Sequence, residues 1–271
     1  MANKVPVAED AKTKSYFKYY EEFEIAPYTP EQLAIIENAK GTMEESLPIG
    51  ERVKVEGPGT LPARTGYFPL EEGGMLVAGN IPTPDITGDM MYWWFAWHGL
   101  DPLRYAIWDP EDHYDTKLND LGRQRALDPS IPIEEKAWGA SHTVTESIGG
   151  PPDVITLNFM DPSTLGYDMS MIGQPGCCEF LLTANSEIGD MHVPVHVVLV
   201  TKKIDGVMTT QERFWIGYAV IDGEGKYLLP PEVQVPEELC QGLVAHNLKE
   251  YTHLNKVLPL VYAEEKDKPW I

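Results

Sequence analysis

The chain has 271 residues, 43% hydrophobic and 23% charged, enough to bury a substantial core in one large domain or a main domain with an appendage. A net charge of −21 without any long basic run argues against nucleic acid or an anionic membrane as partner. No apolar run reaches membrane-spanning length or resembles a signal peptide, and three cysteines, two of them adjacent (Cys177, Cys178), make neither a disulfide framework nor a thiolate zinc site.

These cysteines imply a reducing, cytoplasmic location, with Cys240 a small buried hydrophobe. The first clear element starts at Thr29, an N-cap followed by Pro30 and closed into a capping box by Gln32. Leu33, Ile36 and Ala39 repeat at helical spacing, and Gly41 is expected to end that helix. Residues 42–88 are rich in Gly and Pro and read as loops with short strands. Four of the seven tryptophans fall between residues 89 and 115, at 93, 94, 97 and 108. Asp101 and Pro102 form a second N-cap and first-turn pair, starting a short helix that carries Arg104 and Tyr105.

From Ser141 onward the pattern changes to strands: SHTVTES, DVITLNFM, CCEFLLTA, HVPVHVVLVTKK and QERFWIGYAVID. Asp205–Gly206 between the last two is a two-residue hairpin turn. Pro236 then opens a closing helix that is expected to stop near Leu258, before Pro259. On that helix Leu239, Leu243, His246, Glu250, Leu254 and Val257 share one stripe about 80° wide. His246 and Glu250 therefore stand in the apolar stripe, one turn apart. Burying a carboxylate there costs several kcal/mol unless a cation compensates it. Antiparallel strands followed by a long helix with an inward stripe predict an α+β domain, the helix lying across a curved sheet.

A mononuclear metal site needs three or four donors converging from separate elements. Beyond His246 and Glu250 the available residues are His98, His113, His142, His192, His196, His253 and Glu146, and spacing alone leaves the choice among them open. There is no G-x-S-x-G elbow, no P-loop and no G-x-G-x-x-G. The aromatic run 92–97 reads first as core, although with Arg104 nearby it would suit an aromatic substrate.

The stretch YWWFAWHGLDPLRYAIWDPEDHY, with HTVTES and the late AHNLKE, resembles the phloretin hydrolase and 2,4-diacetylphloroglucinol hydrolase family over roughly residues 85–260. That resemblance implies hydrolysis of the carbon–carbon bond between an acyl group and a phloroglucinol ring, with phloretin the favoured substrate, giving phloroglucinol and 3-(4-hydroxyphenyl)propionate. It implies a Bet v 1-like helix-grip fold. It also implies Zn²⁺ held by two histidines and two glutamates, which match His113, Glu146, His246 and Glu250. Residues 1–85 would be an N-terminal extension supporting a homodimer, with the hydrolase domain over 86–271. Catalytic helpers suggested by the resemblance are Tyr105, His192 and Tyr218.

The hairpin register qualifies the last two. Counted from Asp205–Gly206, Tyr218 pairs with Val193, so His192 and His196 point to the opposite face. Both His192 and Tyr218 can line one cavity only if a bulge intervenes, at Pro194 or Gly217. Two rival readings remain at this point: a non-catalytic carrier of hydrophobic ligands, and an Fe(II)-dependent ring-cleaving oxygenase built on the same donors.

Overall fold

A computed structural model describes residues 4–59, 63–189, 191–230 and 232–271. The N-terminal part carries two short helices, α1 (Phe17–Glu22) and α2 (Pro30–Glu37). Thr29 and Gln32 close the expected capping box on α2, which ends four residues before Gly41 with Asn38 as its C-cap. Two strands follow, β1 (Gly66–Pro69) and β2 (Met75–Pro82), then α3 (Gly88–Trp97), α4 (Pro102–Trp108), β3 (His113–Leu118) and α5 (Asp120–Leu127). The side chain of Asp101 accepts from Leu103 N–H at the start of α4, as its sequence predicts.

The strand-rich half contributes β4 (Ser141–Glu146), β5 (Asp153–Met160), β6 (Phe180–Ile188), β7 (Val193–Ile204) and β8 (Val207–Ile216), then a small hairpin of β9 (Tyr218–Ile221) and β10 (Glu224–Tyr227). Among the described residues eight strands form one sheet in the order β1-β2-β8-β7-β6-β5-β4-β3, antiparallel throughout. The long helix α6 (Glu237–Glu265) packs across β1 and β2 and against α3 and α4. This is the expected α+β helix-grip arrangement.

Both faces of the sheet are covered, which explains why its strands show so little alternation. One core lies between the sheet and the helices and includes Trp94, Trp97, Phe180, Val197, Leu254 and Val257. The other lies on the far face and includes Leu47, Phe68, Leu76, Val198, Trp215 and Tyr218. Successive residues of β7 and β8 thus alternate between two apolar layers rather than between core and water.

β1 and β2 lie within residues 1–85, and β2 pairs with β8 along its whole length, so that segment contributes strands to the sheet. They are short strands among Gly- and Pro-rich loops, as the sequence of residues 42–88 predicts. One expectation is corrected: the closing helix runs past Pro259 to Glu265. Proline removes one backbone hydrogen bond there, but the last turns are held by tertiary contacts. Val261 is fully buried, Tyr262 packs edge-on against Trp93, and Glu265 accepts from Ser15. Leu254 sits at the centre of this helix–sheet contact, fully buried. Leu254→Ala is expected to cost about 3–5 kcal/mol, read as a lower urea midpoint at unchanged slope.

Candidate metal centre

Three elements bring four side chains to one point. His113 is the first residue of β3, and its N–H is tied back to Asp109 O at 3.0 Å just beyond α4. The β3–β4 ladder places His113 directly opposite Glu146, with a register shift between His113 and Asp115. Helix α6 supplies His246 and Glu250 one turn apart from the facing layer.

His113 Nε2 lies 3.4 Å from His246 Nε2, 3.5 Å from Glu146 Oε2 and 3.5 Å from Glu250 Oε2. His246 Nε2 is 3.8 Å from Glu250 Oε2. Donor atoms of His113, Glu146 and His246 all lie within 4.8 Å of one another. Four donors about 2.0–2.1 Å from a tetrahedral ion are about 3.3 Å apart, so these separations fit a small divalent ion with little adjustment.

The electrostatics point the same way. All four residues are buried or nearly so, and Glu250 forms no ion pair with Lys or Arg among the described residues; the basic side chains beside it are the two imidazoles. Burial, then Glu212 and Glu146, push the Glu250 carboxyl well above its ordinary range. Burial likewise raises Glu146 and drives His113 well below the usual imidazole value, where it is neutral with a free lone pair. His113 Nδ1 faces Tyr105 O at 3.3 Å, which sets the proton on that nitrogen and turns Nε2 toward the other donors. Two buried carboxylates and two imidazoles are costly alone and suited to a cation.

Behind the cluster, Asp112 Oδ2 stands 3.5 Å from His246 Nδ1. Burial lowers the basicity of His246, but Asp112, Glu146 and Asp109 together outweigh it and raise its pKa. Lys249, three residues after His246 on α6, pairs with Asp112 and with Asp109 at 3.1 Å and makes no ion pair with Glu250. Such a carboxylate behind a ligating histidine orients the ring and sharpens its basicity. Asp112→Asn is expected to weaken divalent metal binding about 10–100-fold without unfolding the chain, as measured by competition with a chelator.

The cluster forms part of the wall of an apolar cavity between sheet and helices, whose lining includes Phe95, Trp108, Val144, Leu182, Val197 and Phe214. Tyr105 belongs to this wall. Its ring stacks on His113 with centroids 4.0 Å apart, and its hydroxyl donates to Glu146 Oε2. Burial and the Glu146 charge hold that phenol protonated, its pKa well above the usual value.

The other two helpers expected from the resemblance are elsewhere. His192 sits in the β6–β7 turn at φ 50°, three-quarters exposed, with Nδ1 2.8 Å from Glu187. Tyr218 belongs to the core on the opposite face of the sheet, against Tyr227. The β7–β8 register runs as counted from Asp205–Gly206 as far as Val195 opposite Ile216. Gly217, at φ 98°, then breaks the strand, and Tyr218 leaves the sheet to pair with β10. The irregularity anticipated at Gly217 exists, but it carries Tyr218 away from the cavity. His196 is likewise on the far face, packed against Tyr167 and Trp215.

Further polar residues line the wall; His98 and His142 stood among the histidines that spacing left open, whereas Glu212 and Asn247 were not among the candidates. His98 and His142 line the cavity and remain neutral, burial lowering His98 to about 4 and holding His142 well below the usual imidazole value. Glu212 on β8 and Asn247 on α6 also line it, and burial pushes Glu212 up to about 8. Asn247 was reachable, since it lies about 20° beyond the edge of the α6 apolar stripe. Glu212 was not, because a Glu in a strand with both faces buried has no distinguishing period.

The family description DAPG hydrolase PhiG domain matches residues 47–263. The chain is 40% identical over 268 residues to phloretin hydrolase of Eubacterium ramulus, covering 97% of this chain and 95% of that protein. It is 24% identical over 266 residues to 2,4-diacetylphloroglucinol hydrolase of Pseudomonas protegens, covering 93% and 85%. Among solved structures, Ara h 8.0201 aligns with a TM-score of 0.40 at 9% identity, covering 69% of this chain and 98% of that one.

Proposed function

The chain belongs to the DAPG hydrolase family, and on that premise we propose that it hydrolyses the carbon–carbon bond joining an acyl group to a phloroglucinol ring. The substrate in this reading is phloretin, and the products are phloroglucinol and 3-(4-hydroxyphenyl)propionate. The observation that carries it is the convergence of two histidines and two glutamates on one point in the wall of an apolar cavity.

His113, Glu146, His246 and Glu250 would hold the ion, zinc in this reading. When bound, zinc supplies Lewis acidity toward a ketone oxygen and toward an attacking water. The remaining chemistry belongs to the chain. Phe95, Trp108 and Phe214 exclude bulk water and accept the flat ring of an aryl ketone. Tyr105 holds Glu146 through its hydroxyl and keeps a proton beside the reacting carbonyl. In the net reaction water adds across the bond: the acyl carbon takes the hydroxyl, and the ring carbon leaves as a carbanion equivalent and takes the proton. The ortho and para hydroxyls of a phloroglucinol ring delocalise that charge.

This reading also includes a homodimer and a cytoplasmic location. Three unpaired, buried cysteines suit a reducing compartment, and among the described residues no helix is long and apolar enough to cross a membrane.

The test is anaerobic incubation of metal-quantified protein with phloretin, assayed for both products. Product formation at about one zinc per chain supports the hydrolase. A requirement for oxygen would replace it with the Fe(II) ring-cleaving reading. Tight binding of phloretin without turnover, by protein that holds no metal, would favour a carrier.

A further inference from the structure

Asn247 is 1% exposed, Glu212 8% and Tyr251 0%. Yet Asn247 Oδ1 and Nδ2 have no hydrogen-bond partner among the described residues, and Glu212 Oε2 and the Tyr251 hydroxyl have none beyond each other. Buried polar atoms are rarely left in that state, and a cluster of them asks for a partner. Asn247 and Glu212 both line the cavity that contains the metal cluster, and Asn247 follows His246 directly in α6.

The backbone is arranged to bring these groups together. Glu212 on β8 is directly opposite Gly79 on β2. A Cβ at Gly79 would lie 2.8 Å from Ile81 Cδ1 and 3.5 Å from Asn247 Nδ2. The absent side chain at Gly79 thus lets α6 settle close to the sheet and sets the Asn247 amide over the strand pair that carries Glu212.

We propose that Asn247 and Glu212 form a subsite for the hydroxyl groups of a polyhydroxylated aromatic ring, the ring whose acyl carbon faces His113, Glu146, His246 and Glu250. An amide offers one donor and one acceptor face, a carboxyl oxygen offers another polar partner, and a phenolic hydroxyl both donates and accepts. Because Asn247 is the neighbour of His246, the nearest hydroxyl is one ortho to the acyl group. The apolar wall contributes contact area but cannot distinguish a triol from an unsubstituted ring. A site built to hydrogen-bond hydroxyls rejects analogues that lack them, because its own polar groups are then left unpaired. The identity of the ring as an acylated phloroglucinol rests on the proposed hydrolase activity; the recognition of ring hydroxyls does not require turnover.

The test is calorimetric titration of the metal-loaded protein with phloroglucinol and with phenol, for the parent chain, Asn247→Leu and Glu212→Leu. The parent is expected to bind phloroglucinol, and each variant to bind it about tenfold or more weakly. Phenol affinity should change less than about twofold, with metal content unaltered. Asn247→Ala and Glu212→Gln provide the same comparison if leucine is not tolerated; Glu212→Gln, which retains polar atoms, should fall between parent and Glu212→Leu. Equal loss for phenol and phloroglucinol, no loss for either, or no phloroglucinol binding by the parent overturns the subsite. Variants that lose phloroglucinol affinity in a protein without hydrolase activity leave the subsite standing and remove the hydrolase. Hydrolysis at full rate with unchanged phloroglucinol affinity does the reverse.

Discussion

Replacing Glu250 by alanine is expected to remove the bound divalent metal and to lower acylphloroglucinol hydrolysis about a thousandfold or more, since a Lewis acid supplies several kcal/mol at the transition state. His113→Ala should do the same, because His113 Nε2 has a close approach to each of the other three donors. Glu250→Gln gives a sharper result, in which the sign depends on metal. Without metal, Glu250 and Glu146 are two carboxylates that burial holds above their ordinary range, Glu250 further raised by Glu212 and Glu146. Removing one charge should therefore stabilise the metal-free chain by about 1–3 kcal/mol. With saturating zinc the order reverses, because the parent gains binding energy that the variant has lost. Thermal unfolding of both proteins, with chelator and with zinc, measures this directly. A Glu250→Gln chain that is less stable under both conditions, or that keeps stoichiometric metal and full activity, would remove Glu250 from the centre.

Tyr105→Phe is expected to lower kcat about a hundredfold while the metal content stays at the parent level. The variant keeps the ring that stacks on His113 and loses only the hydroxyl that donates to Glu146. A fall in metal content matching the fall in rate would mean that the hydroxyl acts only by positioning Glu146. His192→Ala is the matched comparison and should leave kcat within about twofold, the scale of an exposed surface change. Its side chain is exposed on the β6–β7 turn and bonded to Glu187. Loss of activity in His192→Ala with an intact Tyr105→Phe enzyme would reverse the two assignments.

The helices and the hairpin were legible because each is decided by local chemistry. Thr29–Pro30 and Asp101–Pro102 start helices through their own side chains, and Asp205–Gly206 adopts left-handed φ values of 50° and 85° that fix a two-residue turn. That turn carried the register correctly over most of β7 and β8. It failed only at Gly217, where the strand ends and a separate hairpin begins. The early strands β1 and β2 were harder, since their inclusion in the sheet depends on a partner, β8, more than 120 residues later.

For the site, the sequence by itself determined that His246 and Glu250 are inward-facing, because helical periodicity places both in the apolar stripe of α6. Their completion by His113 and Glu146 came from resemblance, not from spacing. Only the tertiary structure brought these residues opposite one another across β3 and β4 and under α6. It alone put Tyr105 in the cavity wall, sent His192 to the surface and Tyr218 to the opposite core, and set Glu212 beside the α6 crossing. The division has one physical cause. Which way a side chain points within a helix is fixed by the chain's own geometry, whereas which strands meet, and where a bulge turns a residue from one face to the other, depends on contacts between segments far apart in sequence.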